Sequence, residues 1–391
     1  MSRSNITYLA PPSLDSSSAQ QLVSQKQLAG AYKIGRRGYQ LGWIAEAKSD
    51  DIATDIDTSQ IQQQWQSMRA IHLPGFFKNS LTAFEKNISQ AQKLSEAVLN
   101  GQSCDELFSE PPYAGNLQPK FELLAVSCDE SDPQEIETID FDVMDTDNII
   151  AEGLWVKASW LSFDEEDISL RFRFSFGIVG YEDVAADYLR QQYAAELTEA
   201  IFPQSKIISQ NEKLQQLLCQ TLNIDRVDYV ERIIYFNAPQ GGAQFHQDVE
   251  RGHLGVVFAQ IYGRTAWLAL SKAELIEEIL IYINSENAQA DYLSIVADSS
   301  AWETLVEVSQ NVQRLNSYLD DTDNDAVEYL INRVPRFCQQ LLDKGYGFIL
   351  NPGDGILLPQ QTHDACCWHS VFCIDDYPGQ ALSFAIRGKA R

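Results

Sequence analysis

Apolar positions along this chain fall into blocks of two periods. From Phe76 through Leu81, Phe84, Ile88, Ala91, Leu94 and Leu99 they recur at helical spacing and stop at Gly101. Leu154–Trp160 partly alternates. Ile168, Leu170, Phe172, Phe174 and Phe176 then alternate with Ser169, Arg171, Arg173 and Ser175. That is a period-two hairpin with one apolar face, turned at Asp164–Asp167. Helices are predicted at 181–202, ended by Pro203, and at 210–222. Sheet follows at 229–237, 254–262 and 265–270. Ser271-Lys272-Ala273-Glu274 reads as a capping box opening a helix to about Ile283. Helical stretches near 299–318 and 325–343 complete an insert over 271–343. Sheet resumes at 347–350, 355–358, 369–374 and 381–386.

Many short strands with Gly and Pro turns, plus segregated helices, predict an α+β protein. Its strands suit a double-stranded β-helix, the jelly-roll barrel of cupins. Residues 1–20 are rich in Ser, Pro and Gln and read as a loose arm. Cys128–Asp147 is dense in Asp and Glu and reads as an exposed connection. These features predict a largely helical accessory region over 1–150 and a barrel over 151–391.

Composition narrows the function classes. The chain has 391 residues and a formal charge of -26. Without a basic run, such a surface repels nucleic acid. No stretch reaches the roughly 18–20 apolar residues of a membrane helix. The start has no apolar segment after its basic residue, so no secretory signal is expected. The seven cysteines form no CxxC pair. A reduced, cytoplasmic protein is expected.

Four of the five histidines lie from residue 246 onward. His246-Gln247-Asp248 puts an imidazole and a carboxylate on one face if the segment is extended. A second block, Asn351-Pro352-Gly353-Asp354 through Pro359 to Trp368-His369, supplies a distant histidine. Two imidazoles and one carboxylate on one side of a metal leave the other side open, as in non-haem Fe(II) oxygenases. His369 opens an apolar run and is preferred as third ligand. His363 sits in a loop-like segment and is assigned to substrate or ligand support. His253, beyond a predicted turn at Glu250–Gly252, is assigned to the substrate side.

Phe258–Trp267, the Pro-Gly-Asp turn and the terminal Trp-His strand resemble the JmjC-type, cupin-like Fe(II)/2-oxoglutarate oxygenases. The likeness is to the branch of asparaginyl and ribosomal-protein hydroxylases. It covers roughly 229–270 and 347–387. It implies Fe(II) on His246, Asp248 and His369, 2-oxoglutarate beside it and O2 as co-substrate. The substrate would be a small molecule, an amino acid or a peptide. The carboxylate of Asp248 favours hydroxylation, or a related oxidation such as desaturation, over halogenation. The family places Lys or Arg two positions after the strand glycine, where this chain has Thr265. Arg264 is one position off, which reverses its face. Arg387 is the expected substitute as 2-oxoglutarate anchor, with Thr265 or Ser383 adding a hydroxyl. Tyr235 and Asn237 are candidate pocket residues. The helical insert and the N-terminal region are the natural places for substrate selection or homodimer contacts. The alternative is a non-oxidative cupin holding Zn or Ni.

Overall fold

The computed structural model describes residues 31–36, 39–45, 58–161, 167–178, 187–250 and 252–390. The expected arm at 1–20, most of the turn at 164–167 and the start of the helix expected at 181 lie outside them. No helix among the described residues is long and apolar enough to cross a membrane.

The first seven strands are β1 (Ala31–Arg36), β2 (Tyr39–Ala45), β3 (Ile71–Leu73), β4 (Phe121–Ser127), β5 (Glu135–Asp145), β6 (Asn148–Trp160) and β7 (Leu170–Phe176). The later seven are β8 (Ile224–Asn237), β9 (Gly255–Tyr262), β10 (Thr265–Ser271), β11 (Gly347–Leu350), β12 (Gly355–Thr362), β13 (Ala365–Cys373) and β14 (Gly379–Ala390). β1 and β2 form a separate hairpin. The other twelve make one sheet in the order β11-β10-β13-β12-β9-β14-β8-β7-β6-β5-β4, with β3 added beside β12. Every pairing is antiparallel.

The sheet folds back on itself at the β12–β13 hairpin, where the register shifts between Gln360 and Thr362. One compact core is shared by the two halves: Val256 and Phe258 of β9 pack with Trp267 of β10, Leu350 of β11, Leu358 of β12 and Val371 of β13. Phe258 meets Trp267 edge-on, with centroids 4.8 Å apart. The result is a large antiparallel sheet consistent with a jelly roll. Two further cores cover its outer surfaces. One packs β5–β9 and β14 against the helices at Glu85–Leu99, Tyr188–Ile201 and Glu212–Leu222. The other packs β10 and β13 against the insert helices and the β1–β2 hairpin.

The capping box is present in both directions between Ser271 and Glu274. Pro335 splits the helix expected at 325–343, because it has no N–H to continue the preceding turn and instead starts Pro335–Asp343. The stretch expected at 299–318 is likewise two helices, Ser299–Ser309 and Val312–Leu319.

The N-terminal expectation needs correction. The acidic stretch at Cys128–Asp147 contains β5, whose Ile139, Phe141 and Val143 are completely buried. Its acidic residues interleave with apolar ones, so net charge concealed a period-two pattern. Residue 150 falls inside β6, and β4–β6 extend the sheet beyond β7. The region before 150 is therefore mixed rather than largely helical.

Candidate metal centre

His246 and His369 are joined through their backbones. The His246 N–H donates to the His369 carbonyl at 3.0 Å, and the His369 N–H donates back at 2.9 Å. This isolated bridge is the only ladder contact at His246 among the described residues. The expected strand at 246–248 is thus an extended segment rather than a full strand. Asp248 nonetheless reaches both rings. Its Oδ1 lies 3.5 Å from His246 Nε2 and its Oδ2 lies 3.4 Å from His369 Nε2. One donor atom from each residue falls within 4.8 Å of the others. Neighbouring donors about 2.1 Å from one ion sit roughly 3.0–3.4 Å apart, so the spacing fits a shared metal after slight contraction.

The rings are set for ligation. His246 Nδ1 lies 2.7 Å from the Gln244 carbonyl and His369 Nδ1 lies 3.4 Å from that of Cys367. Donating Nδ1–H to a carbonyl leaves Nε2 to face the metal position. Trp267 lies nearly parallel to the His369 ring, at 15° and 5.5 Å between centroids. Burial, reinforced by His246, pushes the His369 pKa down to about 4, so this imidazole is neutral at pH 7. Burial opposes charge on His246 as well, but Asp248 outweighs it and raises the pKa. Burial would raise the Asp248 carboxyl, yet His369 and His246 hold it well below the usual carboxylate range.

The triad opens into a pocket of about 400 Å³. Its apolar wall is Val256, Phe258, Trp267, Leu358 and Val371. The polar part of the lining comes from two rungs of the sheet that also carries Val256, Phe258 and Leu358. One rung aligns Arg173, Ile233 and Ser383, and the next aligns Arg171, Tyr235 and Ala381. Glu231 enters through a bulge: its φ is +45°, and the β8–β14 register slips around it. Its carboxylate accepts from Arg173 Nε at 2.8 Å. His253, also in the lining, is buried with neither ring nitrogen hydrogen-bonded. Burial and the charge of Arg387 push its pKa down to about 4.

The pocket therefore gathers the triad with Tyr235, Asn237, His253 and Ser383. The other candidates lie outside its lining. Arg264 points away and pairs with Asp375 at 2.5 Å and the Tyr32 hydroxyl at 2.6 Å. Thr265 is buried, its hydroxyl donating to Gln260 Oε1 and accepting from Trp267 Nε1, both at 2.9 Å. It is saturated and carries no charge, which corrects its expected role. His363 is at the β12–β13 tip, exposed, 3.3 Å from Gln247 Nε2. Arg387 follows Ser383 and Ala385 on β14 beyond the pocket edge.

The sequence reading missed Arg171, Arg173, Glu231 and Glu250 in the lining. The first two were visible as the polar half of the β7 alternation, read only for its apolar half. It also missed Arg36, which is buried and donates to the carbonyls of Ala243 at 2.5 Å and Val371 at 2.8 Å. Arg36 clamps the segment before His246 onto β13.

No family model and no curated protein matches the sequence. Among solved structures, the chain is similar to an oxidoreductase of the 2OG-Fe(II) oxygenase family from Burkholderia pseudomallei. Identity is 8%, the match covers 86% of this chain and 93% of the other, and the TM-score is 0.29. It is also similar to YcfD of Escherichia coli, at 13% identity over 74% of this chain and 46% of that one, with a TM-score of 0.24. A second structure, described as YcfD, a ribosomal oxygenase, in complex with cobalt and succinic acid, matches at 12% identity. There the coverage is 74% and 44%, and the TM-score is 0.23. The matched region spans less than half of either YcfD chain. At these TM-scores the likenesses carry no argument about the chemistry of this protein.

Proposed function

We propose that this chain is an Fe(II)- and 2-oxoglutarate-dependent oxygenase on a double-stranded β-helix, acting on a small molecule, amino acid or peptide. The strand order supports the fold. β8, β14, β9 and β12 make one four-stranded face, and the His246 segment, β13, β10 and β11 make the other. The observation that carries the function is the pair of imidazoles and one carboxylate converging at a pocket, with the opposite side open.

His246, Asp248 and His369 would hold the metal. When bound, Fe(II) with 2-oxoglutarate supplies O2-dependent oxidation of a C–H bond, with release of succinate and CO2. The protein's part is positioning and exclusion of water. Asp248 stays ionised and His369 neutral, so both present lone pairs without prior proton loss. The raised pKa of His246, set by Asp248, makes a proton compete with the metal at that ring. Trp267, Phe258, Val256 and Leu358 keep the inner wall dry. Tyr235, Asn237 and Arg173 offer polar groups on the side where a substrate would enter.

Anaerobic addition of Fe(II) with 2-oxoglutarate should produce a visible charge-transfer band, and aerobic incubation should yield succinate. Absence of both would rule this reading out. A non-oxidative metal site is the second reading. It is favoured by one observation, the uncharged and saturated Thr265 where the family carries a cation. Zn(II) binding without any 2-oxoglutarate-dependent band would select it.

A further inference from the structure

A dicarboxylate co-substrate needs a cation for its far end, and a guanidinium fork matches a carboxylate best. Arg264 is committed to Asp375, and Thr265 offers no charge. The arginines that line the pocket among the described residues are Arg171 and Arg173. They differ in what already holds them. Arg173 is neutralised by Glu231 at 2.7 Å and has Glu250 at 3.9 Å, so an arriving dianion would meet two carboxylates. Arg171 uses Nε on the Ser159 hydroxyl at 3.0 Å, and no carboxylate of the described residues forms an ion pair with it. The nearby Asp132 is taken by Lys157 at 2.8 Å. The Arg171 guanidinium also bonds toward the Tyr235 hydroxyl. Arg171 stands directly across the ladder from Tyr235, and both line the same pocket as the triad. The Tyr235 phenol, pushed up to about 12 by burial, feels both the Arg171 charge and that of Asp248.

We infer that Arg171, supported by the Tyr235 hydroxyl, receives the distal carboxylate of 2-oxoglutarate from a strand flanking the barrel, in place of a cation at position 265. This rests on the oxygenase reading. Its basis in this chain is an unneutralised guanidinium in the wall that holds Tyr235, combined with saturation of the alternatives at 264 and 265.

The test compares two 2-oxoacids on Fe(II)-loaded full-length protein without oxygen, read by the charge-transfer band. 2-Oxoglutarate carries the distal carboxylate and 2-oxobutyrate does not. Wild type should prefer 2-oxoglutarate by roughly 10- to 100-fold, the range for a charge-assisted bidentate contact. Arg171→Met should erase the preference by weakening 2-oxoglutarate alone, leaving 2-oxobutyrate and Fe(II) affinity unchanged. Arg171→Lys should restore part of it, and Tyr235→Phe should reduce it in a site where the arginine is intact. Arg387→Met should keep it. An undiminished preference in Arg171→Met, or its loss in Arg387→Met instead, overturns the inference. No band with either acid in wild type defeats the oxygenase reading itself, a distinguishable result.

Discussion

Trp267 connects the stability of the sheet core to the geometry of the His246, Asp248 and His369 cluster, and two substitutions separate those roles. Its side chain is 2% exposed, meets Phe258 edge-on, lies along the His369 ring and donates Nε1–H to Thr265. Trp267→Ala removes all of this and should cost about 3–5 kcal/mol, the range for a buried aromatic truncated in a core. Trp267→Phe keeps an aromatic face but loses the hydrogen bond and part of the ring, about 1–2 kcal/mol. With an unfolding entropy of about 2.1 cal/mol/K per residue, a chain of this size has about 0.8 kcal/mol/K. The expected Tm losses are then about 4–6 °C and about 1–2 °C. Metal affinity should follow a different pattern. Loss of the ring against His369 frees that imidazole to rotate, and groups that orient a ligand are worth about 10- to 100-fold in affinity. Co(II) titration followed by its visible absorption should show that loss in Trp267→Ala and little of it in Trp267→Phe. If the alanine variant is destabilised as expected yet binds Co(II) like wild type, Trp267 packs the sheet core but does not hold His369.

Three further outcomes are expected. Asp248→Ala removes the anion that attracts both the metal and the His246 proton, and should abolish turnover and weaken Fe(II) binding by at least about 10-fold. His363→Ala should leave Fe(II) affinity within about twofold, since that ring lies on an exposed turn; loss of iron would make it a ligand. His253 has a folded pKa of about 4 against an ordinary 6.5. A depressed histidine leaves stability intact above pH 6.5 and lowers it as pH falls toward 4, by about 3 kcal/mol in all. Denaturant unfolding of His253→Gln should lack that part of the acid sensitivity, and parallel pH curves for the two proteins would refute the assignment.

The later strands were legible because their apolar positions are bounded by Gly and Pro turns, and the last seven, β8 to β14, emerged in order with some ends shifted by four or five residues. β5 was not, since Asp140 and Asp142 interleave with Ile139, Phe141 and Val143 and composition masked the period. At the site, His246, Asp248 and His369 could be assembled from sequence because ligand types are few and their spacing informative. The cationic wall could not. A strand such as β7 has both faces occupied, with Phe172 and Phe174 turned to one core and Arg171 and Arg173 turned to the pocket. Alternation tells which residues share a face, but not whether the polar face meets water or a cavity. Glu231 keeps the two-residue spacing of Ile233, Tyr235 and Asn237, which all line the pocket, so its face was countable but the cavity it meets was not.

The backbone bridge between His246 and His369 closes an excursion that includes β9, β10 and the whole helical insert. A metal ion gripping both side chains would therefore act as a cross-link on that loop, much as a disulfide would. For a loop of more than about 100 residues the chain-entropy model gives about 4–5 kcal/mol for such a closure. The ion would then do more than chemistry. It would fasten the His246 segment to β13, so that losing it would expose the insert to local opening and proteolysis before the rest of the sheet yields.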